Sequence, residues 1–417
     1  MMLDVARGLP PAPTPSEMPP ARRAPLHGAA VRALLRRVVR GMPLQVRLPD
    51  GSVLGAAEVG VPVMDIVDWR FFDRVGRDLK IGVGEGFMAG EWRAGPDTDL
   101  ADVLTPFAER LTDIVPGWLR KFRTVVEPRH PRTEANDPAG ARVNVSRHYD
   151  LSNEVFAAFL DETMSYSAAW FAGDREVGFD GLAAAQERKI DGILEFAGVR
   201  PGARLLEIGS GWGHLAMQAA RRGSFVHTIT LSREQQSLAR ERVAAAGLSD
   251  RVLVELRDYR EIEGTYDAVV SVEMIEAVGE EFWPAYFRAV SDALEVGGRF
   301  GLQAITMPHE RMLASRHAYS WVHKYIFPGG LIPSLEAISS QARGAGLRIG
   351  PARSLGPDYA HTLRLWRERF MSRRADVLAM GFDETFVRVW EFYLAYSEAG
   401  FRSGHLDVWQ LGLEKVR

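Results

Sequence analysis

Hydrophobic and polar positions along the chain follow two alternating periods in its middle third. Short apolar runs of strand length, Leu205–Ile208, Phe225–Thr230, Val252–Leu256 and Asp267–Val272, are separated by stretches at helical spacing such as His214–Arg222 and Arg233–Ala246. Strand followed by helix, repeated, predicts an open α/β sheet within residues 148 to about 345. From Leu363 to Val416 the period is helical, with Trp366, Phe370, Phe386, Trp390, Phe392, Tyr393 and Leu394 at apolar positions. Core packing accounts for them, and a wall for a long apolar ligand would need the same side chains.

Before residue 148 the pattern is less regular. Residues 1–27 are rich in proline and poor in apolar surface, which predicts a disordered tail. From Gly28 to Arg40 a helix places Arg32, Arg36 and Arg40 at four-residue spacing; such a face suits either solvent or anionic lipid. Leu44–Leu48 alternates, Pro49-Asp50-Gly51-Ser52 is turn chemistry and Val53-Leu54-Gly55 resumes, so a hairpin is expected. The segment Ile81–Trp92 carries too many glycines for a helix interior and predicts a close-packed turn. Together residues 28–117 read as a small α+β domain, followed by a linker at 118–147 in which basic residues outnumber acidic ones. Residues 148–417 form the larger domain.

Composition narrows the function classes. The 417 residues carry a net charge of -3, so no global basic field argues for nucleic acid. Cysteine is absent, which excludes disulfides, thiolate metal sites and a cysteine nucleophile. No metal-ligating constellation is recognised, and no run approaches the roughly 18 apolar residues of a membrane span. The chain reads as soluble or peripheral.

The chemistry concentrates at strand ends. Leu205-Leu206-Glu207-Ile208 runs into Gly209-Ser210-Gly211-Trp212-Gly213 and then a helix, a turn whose glycines let backbone approach a ligand. A dinucleotide site would want glycine at His214 and an acidic residue closing the next strand, and neither is present. The following strands end in Thr230-Leu231-Ser232 with Gln235, in Asp258-Tyr259, and in Glu273-Met274-Ile275-Glu276. Polar clusters at four successive strand ends predict an S-adenosylmethionine-dependent methyltransferase. Gly209, Gly211 and Gly213 then take the methionine end, with Glu207 ahead of them. Thr230, Leu231 and Gln235 face the ribose, and Asp258 with Tyr259 the adenine edge.

Further motifs occur in one order: His148-Tyr149-Asp150-Leu151-Ser152-Asn153, Tyr166-Ser167, the glycine turn, Thr230-Leu231-Ser232 with Gln235, and Lys324-Tyr325-Ile326-Phe327-Pro328-Gly329-Gly330. With them the chain resembles the cyclopropane-fatty-acid synthase family, specifically over residues 140–417 and more loosely over 30–115. The resemblance implies a Rossmann-like methyltransferase domain, a smaller N-terminal α+β lipid-binding domain, and Tyr166 and Ser167 in the cofactor set. It also implies methyl transfer to the cis double bond of a phospholipid acyl chain, through a carbocation that then loses a proton. A peripheral position at the inner face of the membrane and a homodimer follow from the same resemblance.

Enzymes of that family hold a bicarbonate ion through Cys, Glu, His, a backbone amide near Ile, and Tyr. The matching positions are Glu276, Ile305 and Tyr359, whereas Ala168 replaces the Cys, Gln303 the His and Ala277 the His of the usual Glu-His pair. Two accounts of proton removal stay open: bicarbonate held by Gln303, Tyr359 and the Ile305 amide with Glu276 behind it, or Glu276 as the base. A helix-capping carboxylate is the structural alternative for Glu276. Tyr166, Trp170 and Tyr359 are candidate aromatic faces for the cation. The replaced residues, with the long N-terminal region and the linker, favour a methylene-branched product that a reductase partner would saturate. A cyclopropane is the alternative product. A soluble small-molecule methyltransferase and a non-catalytic lipid-binding protein are the readings from other classes.

Overall fold

The computed structural model describes residues 25–110, 136–137, 140–141, 144 and 152–416. The tail before residue 25, most of the basic stretch at 118–147 and the motif residues His148–Leu151 lie outside the described residues. The chain divides into two compact units. One gathers the described residues of Met1–Arg129 with Ala318–Pro328 and Met371–Ser403, the other those of His130–His317 with Gly329–Phe370 and Gly404–Arg417.

The first unit holds a four-stranded sheet of β1 (Gln45–Arg47), β2 (Val53–Gly55), β3 (Val63–Ile66) and β4 (Trp92–Ala94) in the order β2-β1-β3-β4. β1 and β2 form the expected antiparallel hairpin, with Val46 opposite Leu54. The glycine-rich segment departs from expectation, because Gly82–Met88 is a helix. Its glycines serve close packing: a Cβ on Gly84 would lie 2.4 Å from Trp321 Cδ1, and one on Gly82 2.7 Å from the Arg74 carbonyl oxygen. The unit also takes Glu384–Arg402 from the helical region that the sequence pattern joins to the larger domain. Aromatic contacts explain this grouping: Phe392 packs on Phe87 at 5.5 Å and on Trp321 at 4.8 Å.

The second unit is built on β5 (Arg204–Ile208), β6 (Phe225–Thr230), β7 (Val252–Leu256), β8 (Tyr266–Val272), β9 (Leu294–Thr306), β10 (Leu347–Ser354) and β11 (Asp407–Lys415). Their order is β10-β11-β9-β8-β5-β6-β7. β5 through β9 pair in parallel, and β11 lies antiparallel between β9 and β10. The helical reading of residues up to Val416 is therefore corrected at its end, where alternating contacts pair Gln410 with Gln303 and bury both. The pleat sends neighbours to opposite faces: Leu205 packs with Ile190, Ile193 and Leu215, while Leu206 packs with Tyr286, Phe287 and Phe300. Strand order reverses between β5 and β8, the switch point at which open α/β sheets bind ligands beyond the carboxyl ends of their strands.

Candidate active site

At the end of β5, Gly209, Gly211 and Gly213 all adopt left-handed backbone, with φ of 96°, 47° and 86°. Side chains resist that conformation, so the sequence can turn sharply here into the helix His214–Arg221. A Cβ on Gly213 would also sit 3.2 Å from Ala239 Cβ. Beside the turn is a cavity of about 150 Å³, lined among others by Tyr166, Ser167, Glu207, Gly209, Gly211, Thr230, Leu231, Gln235 and Tyr259. Nine of the eleven residues expected to hold the cofactor therefore meet at one cavity.

The other two do not line it. Gly213 shapes the turn from behind, and the buried Asp258 carboxylate is held by Arg260, whose Nε and terminal nitrogen donate to it at 2.8 and 2.7 Å. Local hydrogen bonds orient the rest. Ser232 caps the helix Arg233–Ala245 by accepting from the Gln235 amide, and Thr230 Oγ1 donates to Gln235 Oε1 at 2.9 Å, leaving the Gln235 NH₂ as the donor for a ligand. Lys189 Nζ donates to Ser167 Oγ at 2.6 Å. Burial pushes the Lys189 ammonium down to about 8 against the pull of Glu273, Asp161 and Glu207. Burial likewise pushes the Glu207 carboxyl up to about 8, opposed by Thr228 and Lys189. Glu207 Oε2 is buried with no hydrogen-bond partner among the described residues, so Glu207 and the glycine cradle fit the amino-acid end of S-adenosylmethionine, whose ammonium would find an acceptor there.

A second constellation, at the end of β8, meets the same cavity through Glu273, while Gln303, Tyr359, Ile305 and Glu276 stand behind it without lining the cavity. Glu273, which lines the cavity, follows β8 with φ of 50°, a left-handed conformation that costs a non-glycine residue about 1 kcal/mol. Its Oε1 accepts from the Ala168 amide at 2.9 Å and from Gln303 Nε2 at 2.7 Å, and its Oε2 accepts from the Tyr359 hydroxyl at 2.8 Å. The Gln303 amide is itself fixed, since Gln410 Nε2 donates to Gln303 Oε1 at 3.0 Å and Arg353 donates to Gln410 Oε1 at 3.2 Å. Glu276 stands one short helical turn away, and its Oε1 accepts from the Ile305 amide. Its Oε2 is buried with no hydrogen-bond partner among the described residues. Burial, then the neighbouring Glu273 charge, pushes the Glu276 carboxyl up to about 8; burial also raises Glu273, against its donors and Lys189.

Gln303, Tyr359, Ile305 and Glu276 thus come together as expected, but around protein carboxylates. The amide, hydroxyl and backbone donors counted on for bicarbonate are engaged by Glu273 and Glu276. Bicarbonate does not fit among them as they stand. Of the three aromatic candidates, Tyr166 and Tyr359 both pack on Trp366, at 5.4 and 6.1 Å. Trp170 is removed from the set, because the Arg353 guanidinium covers its ring at 3.7 Å.

Sequence reasoning assigned no role to Glu273, Lys189 or Gln410. Two of them leave a trace in the pattern. Lys189 interrupts the buried stripe Leu182, Ala185, Ile190, Ile193 of the helix Leu182–Phe196, and Glu273 ends an apolar strand with a charge. Gln410 becomes visible only through the pairing of β11 with β9.

Residues 137–411 match the family model of mycolic acid cyclopropane synthetase. The tuberculostearic acid methyltransferase UfaA1 of Mycobacterium tuberculosis is 50% identical over 403 residues, covering 95% of this chain and 94% of that protein. The cyclopropane-fatty-acyl-phospholipid synthase of Escherichia coli is 32% identical over 344 residues, 82% of this chain and 85% of that protein. Among solved structures, mycolic acid cyclopropane synthase CmaA1, complexed with SAH and CTAB, superposes with a TM-score of 0.61 at 31% identity, over 66% of this chain and 98% of that one.

Proposed function

We infer the reaction from one premise: this chain belongs to the mycolic acid cyclopropane synthetase family, and it is an S-adenosylmethionine-dependent methyltransferase. We propose that it methylates the cis double bond of an unsaturated phospholipid acyl chain and releases a methylene-branched chain. The observation that carries this reading is a glycine-cradled cavity that is also lined by Glu273, a carboxylate held by Gln303 and Tyr359.

Bound S-adenosylmethionine supplies an electrophilic methyl group, which the alkene π electrons take up to leave a carbocation on the acyl chain. The protein's own residues do the rest. Gly209, Gly211 and Glu207 hold the amino-acid end, the Gln235 NH₂ meets the ribose, and Leu231 and Tyr259 border the adenine. Gly213 acts by shaping the turn and Asp258 by fixing Arg260, which lies over the Tyr259 ring at 5.1 Å. Tyr166 and Tyr359, with Trp366 behind them, offer aromatic faces to the cation and exclude water. A carboxylate at the end of β8 then takes the proton.

The methylene product follows from the altered pocket: without the Cys and His at positions 168 and 303, the proton acceptor sits differently from that of the ring-forming enzymes. The 50% identity to a protein named tuberculostearic acid methyltransferase supports the same choice. An exocyclic methylene is also the group that a reductase partner would saturate. In this reading the acyl chain comes from a membrane surface, and the exposed Arg36, Arg37 and Arg40, on and just after the helix Pro25–Val38, support contact with anionic lipid. Among the described residues no helix is long and apolar enough to cross a membrane, so contact is peripheral in this reading.

Incubating the protein with S-adenosylmethionine and vesicles of a monounsaturated anionic phospholipid, then measuring acyl-chain mass before and after mild hydrogenation, tests the proposal. The expected product gains one carbon and then takes up hydrogen. A product that resists hydrogenation is a ring and overturns the methylene assignment. Methylation of soluble amines or phenols in place of lipid would point to a small-molecule methyltransferase, and cofactor binding without any turnover to a lipid-binding protein.

A further inference from the structure

We propose that Glu273 supplies, from the protein itself, the carboxylate for which related enzymes recruit bicarbonate, and that its Oε2 is the proton acceptor of the reaction. The inference rests on the methyl transfer proposed above.

Three lines of geometry meet on this side chain. Its partners are the residues that the family resemblance assigns to the anion: Gln303 in the place of the His, Tyr359, and the backbone of Ala168 in the place of the Cys. Each donates, and each donates to Glu273. A carboxylate offers about four acceptor sites. Oε1 uses two, for the Ala168 amide and the Gln303 amide, and Oε2 uses one, for the Tyr359 hydroxyl. Among the described residues one lone pair on Oε2 is left over, and Glu273 borders the cofactor cavity.

The surroundings select Glu273 over Glu276 for this role. Three donors and the nearby Lys189 favour its ionised form, whereas Glu276 has a backbone amide on one oxygen and no hydrogen-bond partner among the described residues on the other. Two neighbouring carboxylates do not both ionise readily, and the donors gather on Glu273, so the charge resides there and raises Glu276. Backbone strain points the same way, since a φ of 50° is glycine's territory and Glu273 is held there by its three hydrogen bonds. Replacing Ala168 by a larger side chain is unnecessary once the carboxylate arrives from β8.

In the step assigned to it, a C–H bond of the newly added methyl breaks. Its electron pair forms the methylene double bond after hydride has shifted to the neighbouring carbon, or closes a ring if no shift occurs. The proton goes to Glu273 Oε2. Nothing is oxidised or reduced, and no diffusible base takes part.

The test uses the full chain and three proteins: wild type, Glu273→Gln and Glu273→Gly. The glycine variant suits the left-handed backbone, so it is expected to fold, and its melting temperature checks this. First, turnover on monounsaturated phospholipid vesicles is measured in buffer stripped of carbon dioxide and again with added bicarbonate. Wild type should be unaffected, Glu273→Gln should lose roughly 10²–10⁴-fold in turnover with S-adenosylmethionine affinity intact, and Glu273→Gly should lose as much without bicarbonate and regain part with it. Second, calorimetric titration with bicarbonate alone should show binding to Glu273→Gly and none to wild type. Wild-type turnover that requires bicarbonate, wild-type binding of bicarbonate, or full activity of Glu273→Gln overturns the proposal. The titration needs no substrate. If wild type methylates no lipid, the proposed reaction fails, while the titration still decides whether Glu273 fills the anion's place.

Discussion

In the N-terminal unit, Glu85 and Glu91 are buried against cations: Arg74 donates to both Glu91 oxygens at 2.8 and 2.9 Å, and Lys324 reaches Glu85 at 2.6 Å. In the methyltransferase unit, Glu207 is buried and Glu273 and Glu276 are half-buried, yet none forms an ion pair with a described residue, and desolvation raises all three. The first arrangement locks charges to one another and holds a fold together. The second leaves carboxyls raised above their ordinary range beside a cavity, an arrangement that suits proton transfer better than it holds a fold together. Buried charge in this protein therefore has two uses, told apart by whether a cation touches it.

Substitutions that exchange or remove these environments should separate the two uses. Glu273→Gln has the largest expected effect, a loss of roughly 10²–10⁴-fold in turnover, while its melting temperature stays level or rises because a desolvated charge beside Glu276 is gone. A large drop in melting temperature would break the contrast. Next, Arg74→Met strands Glu85 and Glu91 and should lower unfolding stability by about 3–5 kcal/mol in a denaturant titration. Gly84→Ala pushes a Cβ to 2.4 Å from Trp321 and should remove about 1–3 kcal/mol by thermal denaturation.

A further effect is on pH dependence. Glu207 and Glu276 have folded values raised from 4.5 to about 8, so the folded state binds protons that the unfolded chain has released. Their contribution is full below the ordinary carboxylate value and fades as pH rises through about 8. Unfolding measured across that window should show stability falling with pH, and Glu276→Gln should flatten part of the slope.

Much of the site could be read without coordinates because methyltransferase chemistry sits at strand ends, and strand ends are marked by a change of period. Gly209, Gly211, Thr230 and Gln235 belong to single local turns, each readable from a few neighbouring residues. Asp258 looked equally suitable, but its carboxylate is engaged by Arg260 two residues on and does not line the cavity, a contact that spacing does not report. The helix at Gly82–Met88 was hidden for a related reason: its glycines answer to Trp321 and Arg74, far along the chain or across the fold.

By itself the sequence determined the α/β alternation, the glycine cradle, the absence of thiol chemistry, and the departures at positions 168, 277 and 303 from the bicarbonate-binding pattern. Tertiary structure alone decided what those departures mean. Ala168, Glu273, Gln303, Tyr359 and Gln410 are separated by up to 242 residues, and they converge only because β11 inserts beside β9 and β9 beside β8. Local propensity acts over a few residues, whereas the ionisation of a buried carboxyl depends on every donor and charge within a few ångströms, whatever its place in the chain.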